Sequence, residues 1–149
     1  MISKLVASAA AALADVPDGA TVMIGGFGTA GIPDELIAGL LAQGARDLTL
    51  VNNNAGNAEQ GLAALLKAGR VRKIICSFPR QTDSYVFDGL YRSGQLELEL
   101  VEGGGDLIGF AAVLVDGGDA LFEVDAGFDG AEHFIAGTEY AFEKLKLFR

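Results

Sequence analysis

Four glycines crowd into seven residues, Gly25, Gly26, Gly28 and Gly31, interleaved with Phe27, Thr29 and Ala30 and followed by Ile32-Pro33. Glycine admits positive φ and lets a ligand approach the backbone closely, so such a run can turn several peptide N–H groups toward one point. The chemistry is that of a cradle for an anion or a developing oxyanion, and a helix start just beyond it adds unpaired N–H groups. Gly25–Gly31 are therefore the first candidate site. Asn52, Asn53 and Asn54 are the second: three consecutive amides either orient a substrate or serve as turn residues that tolerate left-handed backbone. Arg80, in the loop Phe78-Pro79-Arg80-Gln81, is the third. Read by itself, its guanidinium is a solvated loop cation.

Other reactive residue types read more plainly. Cys76 lies in an apolar run and reads as buried and inert. His133, the one histidine, has no Cys or His near it in sequence and makes no metal site. Glu102 sits beside Gly103-Gly104-Gly105 without a motif that would mark a nucleophile, and Glu97 and Glu99 read as a solvated strand face. No Ser/His/Asp set is legible.

The elements that must position these residues alternate. The first helix spans roughly Ser3–Ala14, with Ile2, Leu5, Val6, Ala9 and Leu13 at helical spacing. The same letters resemble a signal peptide, but a weakly hydrophobic amphipathic helix explains them better. Strand one is Thr21–Ile24. Helix two runs from Pro33, suited to a first helical turn, to Ala42, with Gly44 as its left-handed cap. Strand two, Leu48–Val51, delivers the asparagines. Helix three is Gly61–Ala68, closed by Gly69, and strand three is Lys73–Ser77. Thr82 caps a fourth helix reaching Arg92 and stopping near Gly94. Strand four, Leu96–Val101, alternates leucine with glutamate and so has a wet face or lies at an edge. Beyond it Leu107–Val115 reads as a buried strand or helix, Asp116–Asp119 as a turn and Ala120–Val124 as a short strand. Asp125–Gly130 is a further turn, and Thr138–Phe148 a terminal amphipathic helix.

Strands alternating with helices through short loops predict an α/β fold, an open, mostly parallel sheet with helices on both faces. Ligands bind such sheets beyond the carboxyl ends of the strands, where all three candidate loops fall, so they should share one rim. A chain of 149 residues fits one domain, residues 1–149. A net charge of −9 argues against nucleic acid. One cysteine suits a reducing cytoplasm, and no run is long enough to span a membrane.

From Asp18 through Gly25-Gly26-Phe27, Gly28 and Gly31 to Pro33, the chain resembles the small-subunit signature of family I coenzyme A transferases at every position. The resemblance continues through Arg46–Gly56, Val71–Ser77 and Tyr91–Val101. Within the family, Ser77–Asp88 is most similar to the branch that acts on 3-oxoadipate, whose second carboxylate gives Arg80 a partner. The resemblance implies the small (A) subunit of a hetero-oligomer that moves CoA from succinyl-CoA to 3-oxoadipate or acetoacetate. It implies a coenzyme A thioester as substrate with no permanently bound cofactor. The nucleophilic glutamate stands on the large (B) subunit, and no catalytic residue lies in this chain. Gly25–Gly31 then supply the CoA and oxyanion cradle, while Asn52–Asn54 and Arg80 orient substrate. After Val101 the family pattern stops, which implies a divergent, truncated or rearranged stretch over 102–149. Two other readings stand beside it. Gly26–Gly31 also fits a dinucleotide fingerprint, although strand two ends in asparagine rather than the acid that would hold a ribose. A non-catalytic scaffold retaining the fold is the other.

Overall fold

The computed structural model describes residues 7–101 throughout and the backbone of three later strands, residues 112–116, 121–126 and 132–136. Seven strands form one sheet: β1 Thr21–Ile24, β2 Leu48–Val51, β3 Val71–Cys76, β4 Glu97–Leu100, β5 Ala112–Asp116, β6 Leu121–Ala126 and β7 Glu132–Ala136. Their order is β4-β3-β2-β1-β5-β6-β7. The helices are α1 Ala9–Ala12, α2 Asp34–Gln43, α3 Leu62–Lys67 and α4 Tyr85–Arg92.

The α/β class and the open sheet are as the sequence reads. β1 to β4 are parallel, with Thr21 opposite Thr49, Val51 opposite Ile75 and Cys76 opposite Leu100. β5 then runs antiparallel to β1, and β6 and β7 continue antiparallel, so the whole sheet is mixed. The reason is loop length. Only residues 117–120 separate β5 from β6 and only 127–131 separate β6 from β7, whereas a parallel crossover needs about a dozen residues. Asp116 closes β5, and Asp125 belongs to β6, not to a turn. β7, which carries His133, has no counterpart in the sequence reading.

Alternate strand residues Val22, Ile24, Leu48, Leu50, Ile74 and Cys76 join Leu13, Leu36, Leu40, Leu62, Leu65, Leu66 and Phe87 in one continuous core. A strand turns every second side chain to the same face, so the four described helices form one layer on one face of the parallel strands. Met23, Thr49, Val51 and Ile75 point the other way and are buried too. Among the described residues no helix covers that second face, and residues 107–111, Glu102 and the stretch 138–148 expected as a terminal helix lie outside the described residues.

Helix boundaries follow their caps. The first helix is shorter than Ser3–Ala14 because Ser8 is extended and its Oγ accepts from the Ala11 amide at 3.1 Å, so the helix opens at Ala9. It seats on Gly39 of α2, where a Cβ would lie 3.0 Å from that of Ala9 and 3.1 Å from Leu13 Cδ1. Gly44 ends α2 in the left-handed region, φ 99°, as expected. Thr82 does not cap α4. Ser84 stands there instead, and its Oγ accepts from the Gln81 amide at 2.6 Å and donates to the Gln81 carbonyl at 3.1 Å, closing the preceding loop on itself. β4 is the sheet edge, with its glutamates wet and Glu99 2.6 Å from Lys73.

Candidate functional site

Beyond Ile24 the chain forms a tight hairpin. The Phe27 amide donates to the Ala30 carbonyl at 2.9 Å, and the Ala30 amide returns a bond to Phe27 at 3.0 Å. Gly28, φ 63°, takes the first central position and Thr29 the second, with only the first at positive φ, the pattern of a type II′ turn. Gly26 is a steric necessity, because a Cβ there would stand 2.5 Å from Ile32 Cδ1 and 3.0 Å from the Gly31 carbonyl oxygen. Among the described residues, the amides of Gly26, Gly28, Thr29 and Gly31 find no acceptor in the protein.

A second hairpin, absent from the sequence reading, follows β2. Gly56-Asn57-Ala58-Glu59-Gln60-Gly61-Leu62 repeats Gly26-Phe27-Gly28-Thr29-Ala30-Gly31-Ile32, each residue thirty positions after its counterpart (26 to 56). Asn57 and Gln60 pair as Phe27 and Ala30 do. Ala58, φ 49°, occupies the place of Gly28, while Gly56 and Gly61 keep the positive φ of Gly26 and Gly31. The signal is a Gly-x4-Gly-aliphatic pattern written twice, each time after an apolar strand.

The three loops do share one rim, and hydrogen bonds stitch them together. The Phe78 amide donates to the Asn53 carbonyl at 2.9 Å, that of Ala55 to Pro79 at 3.2 Å and that of Ala58 to Asp83 at 2.7 Å. The asparagines are part of this stitching. Asn52 and Asn54 are fully buried and Asn53 is 6% exposed. Asn52 Nδ2 donates to the Ile24 carbonyl and, at 3.4 Å, to that of Gly25, while its Oδ1 accepts from the Asn54 amide at 2.9 Å. Asn54 accepts from the Gly56 amide at 2.8 Å and donates to the Gly28 carbonyl at 3.3 Å, tying one hairpin to the other. Asn53 Nδ2 reaches Ser77 Oγ at 3.0 Å. Asn52 is spent at both ends, whereas Asn53 Oδ1 makes no bond among the described residues and Asn54 also lines the cleft described next. Arg80 is also committed elsewhere. Two of its guanidinium nitrogens lie 2.9 Å from Asp88 Oδ1 on the surface, and the residue does not line the cleft described next.

Between the hairpins lies a cleft of about 50 Å³, with Gly28 and Thr29 on one side and Asn57, Gln60 and Gly61 on the other. That is about a third of the ~150 Å³ cavity that accepts benzene, so the cleft suits a slender chain better than a ring. Among the described residues, Asp34 is the one charged group in its lining. Asp34 and Glu35 occupy the first turn of α2 and already complement its dipole; the helix start is not the open anion site that the sequence suggests. Glu59 at the second hairpin's tip meets Lys67 Nζ at 2.5 Å. Lys67, then the Tyr85 hydroxyl, holds the Glu59 carboxyl below its ordinary value of 4.5 and pins the hairpin toward α3 and α4. Phe27, Phe78 and Tyr85 are exposed. Burial pushes the Cys76 thiol up to about 11, so it is protonated and unreactive at neutral pH. Among the described residues no group of three His, Cys, Asp or Glu stands ready for a metal, and no helix is long and apolar enough to cross a membrane.

Parallel strand ends carrying two glycine hairpins around a narrow cleft define an α/β domain of the kind whose ligands bind beyond the carboxyl ends of the strands. The chain belongs to the coenzyme A transferase family, whose model matches residues 6–116. It is similar to the A subunit of 3-oxoadipate CoA-transferase from Pseudomonas putida, 65% identical over 104 residues, which are 70% of this chain and 45% of that protein. The A subunit of the same enzyme from Acinetobacter baylyi is 62% identical over 104 residues, 70% and 46% of the two chains. Human mitochondrial succinyl-CoA:3-ketoacid coenzyme A transferase 2 is 48% identical over 90 residues, 60% and 17%. The chain spans about half the length of the curated A subunits it matches. A solved structure of an AibA/AibB decarboxylase variant superposes with a TM-score of 0.53 at 29% identity, covering 64% of this chain and 38% of that one. Family membership displaces the dinucleotide reading of Gly26–Gly31.

Proposed function

We propose that the chain is the A-subunit part of a heteromeric 3-oxoacid CoA-transferase, acting in the cytoplasm on succinyl-CoA and 3-oxoadipate, or acetoacetate. The cleft between the hairpins holds the neutral arm of the acyl-CoA next to its thioester, whose carbonyl lies at the first hairpin. The B subunit donates a glutamate carboxylate, which attacks the thioester carbonyl and expels the CoA thiolate, leaving an acyl-glutamyl anhydride. The thiolate then attacks the glutamyl carbonyl and releases succinate, leaving a glutamyl-CoA thioester that the 3-oxoacid carboxylate opens by the reverse sequence. Each attack builds an oxyanion that needs hydrogen-bond donors already in place. The amides of Gly26, Gly28, Thr29 and Gly31 are such donors.

One observation carries this reading: four amides of the first hairpin are unspent among the described residues, and two of them, those of Gly28 and Thr29, belong to residues lining a cleft that fits a slender chain. The names of the similar proteins supply the substrate pair. The test is to combine the chain with the B subunit of the Pseudomonas putida enzyme and follow succinyl-CoA consumption with 3-oxoadipate. Turnover is expected with both chains and with neither alone. Stable association without turnover marks a non-catalytic scaffold, and failure to associate refutes the proposal.

A further inference from the structure

We infer that Asp34 sets the charge selectivity of the cleft, accepting a hydrogen bond from a neutral N–H or O–H donor on the bound chain and turning anionic groups away. The inference rests on reading the cleft as the place where the acyl-CoA arm lies. Its polar lining divides into spent and unspent groups. Asn54 is consumed by Gly28 and Gly56, and Asn57 Oδ1 accepts from the Asp83 amide at 2.9 Å. The Thr29 hydroxyl, Asn57 Nδ2, the Gln60 side-chain amide and the Asp34 carboxylate make no hydrogen bond among the described residues, and of these the carboxylate alone is charged. Among the described residues no cation lines the cleft, and Lys67 and Arg80 on the adjoining elements are paired with Glu59 and Asp88. An ionised carboxylate only accepts hydrogen bonds, so its complement is a donor without negative charge.

Asp34 also has a bland role, since a carboxylate in the first turn of α2 complements the helix dipole. Glu35 is in that turn as well but does not line the cleft. Asp34 reaches across to the second hairpin: its Oδ1 lies 3.8 Å from where a Cβ of Gly61 would stand. That approach places the solvent-exposed carboxylate beside Gly61, within the lining that a bound chain would meet.

Two probes share one scaffold and differ in charge at one end. Pantetheine ends in a neutral amide-linked thiol, and pantothenate ends in a carboxylate. Titrating each into the full chain, with the amide resonances of Gly28, Thr29 and Gly61 as reporters, gives a ratio of dissociation constants. In wild type pantetheine binds tighter. Asp34→Asn narrows the ratio about five- to tenfold, as a partly screened repulsion at a few ångströms requires. Raising salt narrows the wild-type ratio and leaves that of Asp34→Asn unmoved. Glu35→Gln keeps the wild-type ratio, and Asp34→Glu retains most of it. An unchanged ratio in Asp34→Asn, or an equal shift in Glu35→Gln, overturns the inference while leaving the CoA reading of the cleft intact. Pantetheine that moves none of the reporter amides overturns both.

Discussion

Replacing Asn52 tests whether the asparagine run is scaffold or substrate grip. The side chain is fully buried and makes bonds at both ends, to the Ile24 and Gly25 carbonyls through Nδ2 and from the Asn54 amide through Oδ1. Asn52→Ala leaves at least one buried carbonyl and one buried amide without partners. Each orphan costs about 1–3 kcal/mol, so the loss should be about 3 kcal/mol. In a domain of this size 1 kcal/mol is worth roughly 2–4 °C, which places the melting temperature roughly 6–12 °C lower. Asn52→Asp keeps the shape and the acceptor but sets a carboxylate oxygen against the Ile24 carbonyl, and it should be at least as damaging. Asn53→Ala gives up one bond, to Ser77, and should cost about 1 kcal/mol. Thermal and urea unfolding followed by circular dichroism reads all three. A loss under about 0.5 kcal/mol in Asn52→Ala refutes the scaffold assignment, and native stability combined with weakened substrate binding restores the role that the sequence proposed.

Three further outcomes follow from the same geometry. Ala58 sits at φ 49° where its counterpart is Gly28, so Ala58→Gly should stabilise the fold by up to about 1 kcal/mol in urea melts; a destabilised variant breaks the equivalence of the hairpins. Cys76, buried with its thiol pushed up to about 11, should resist iodoacetamide at pH 8 in the native chain and react freely in urea. Rapid native alkylation contradicts its burial. Glu59 titrates below its ordinary 4.5 because of Lys67 and Tyr85. Its contribution to stability is therefore complete above about pH 4.5 and fades as the pH falls through the lowered value. Glu59→Gln should flatten that part of the acid limb and leave the slope near neutral pH alone, and an unchanged acid limb removes the pair from the account.

The parallel half of the fold was legible because each step has a local chemical cause. The apolar runs Thr21–Ile24 and Leu48–Val51 are strands at those residues, and Gly44 caps α2 because only a left-handed residue ends it there. Brief interactions decide the missed boundaries. Ser8 captures its helix start through one hydroxyl bond, and Ser84 closes the loop before α4 through two bonds to Gln81, preferences that composition does not rank against Ser3 or Thr82. The antiparallel strands were the harder half, since a short apolar run reads alike as helix or strand. At the site, the glycine spacing announced the first hairpin. Its twin was hidden by the three asparagines, which lengthen the second loop and spoil the alignment of strand with strand. Partners of buried amides are a tertiary matter, so the sequence could name Asn52–Asn54 without assigning their task.

The two ends of the parallel strands also divide the work within one signature. Asp18 and Gly19 lie at the amino end, where Asp18 Oδ1 accepts from the Arg46 amide at 2.8 Å and the Gly19 amide donates to the Arg46 carbonyl at 2.8 Å, tying the entrances of β1 and β2. Gly26–Gly31 lie at the carboxyl end with amides to spare. A chain of net charge −9 whose cleft holds a carboxylate and, among the described residues, no cation can grip a neutral arm through its backbone but repels a polyanion at a distance. On the proposed reading, cations beyond the described lining of the cleft, those of the B subunit among them, meet the phosphates and the distal carboxylate of the substrates. Assembly would then supply charge compensation as well as the nucleophile, and inactivity of the isolated chain would have two separable causes. High salt should relieve the first and leave the second untouched.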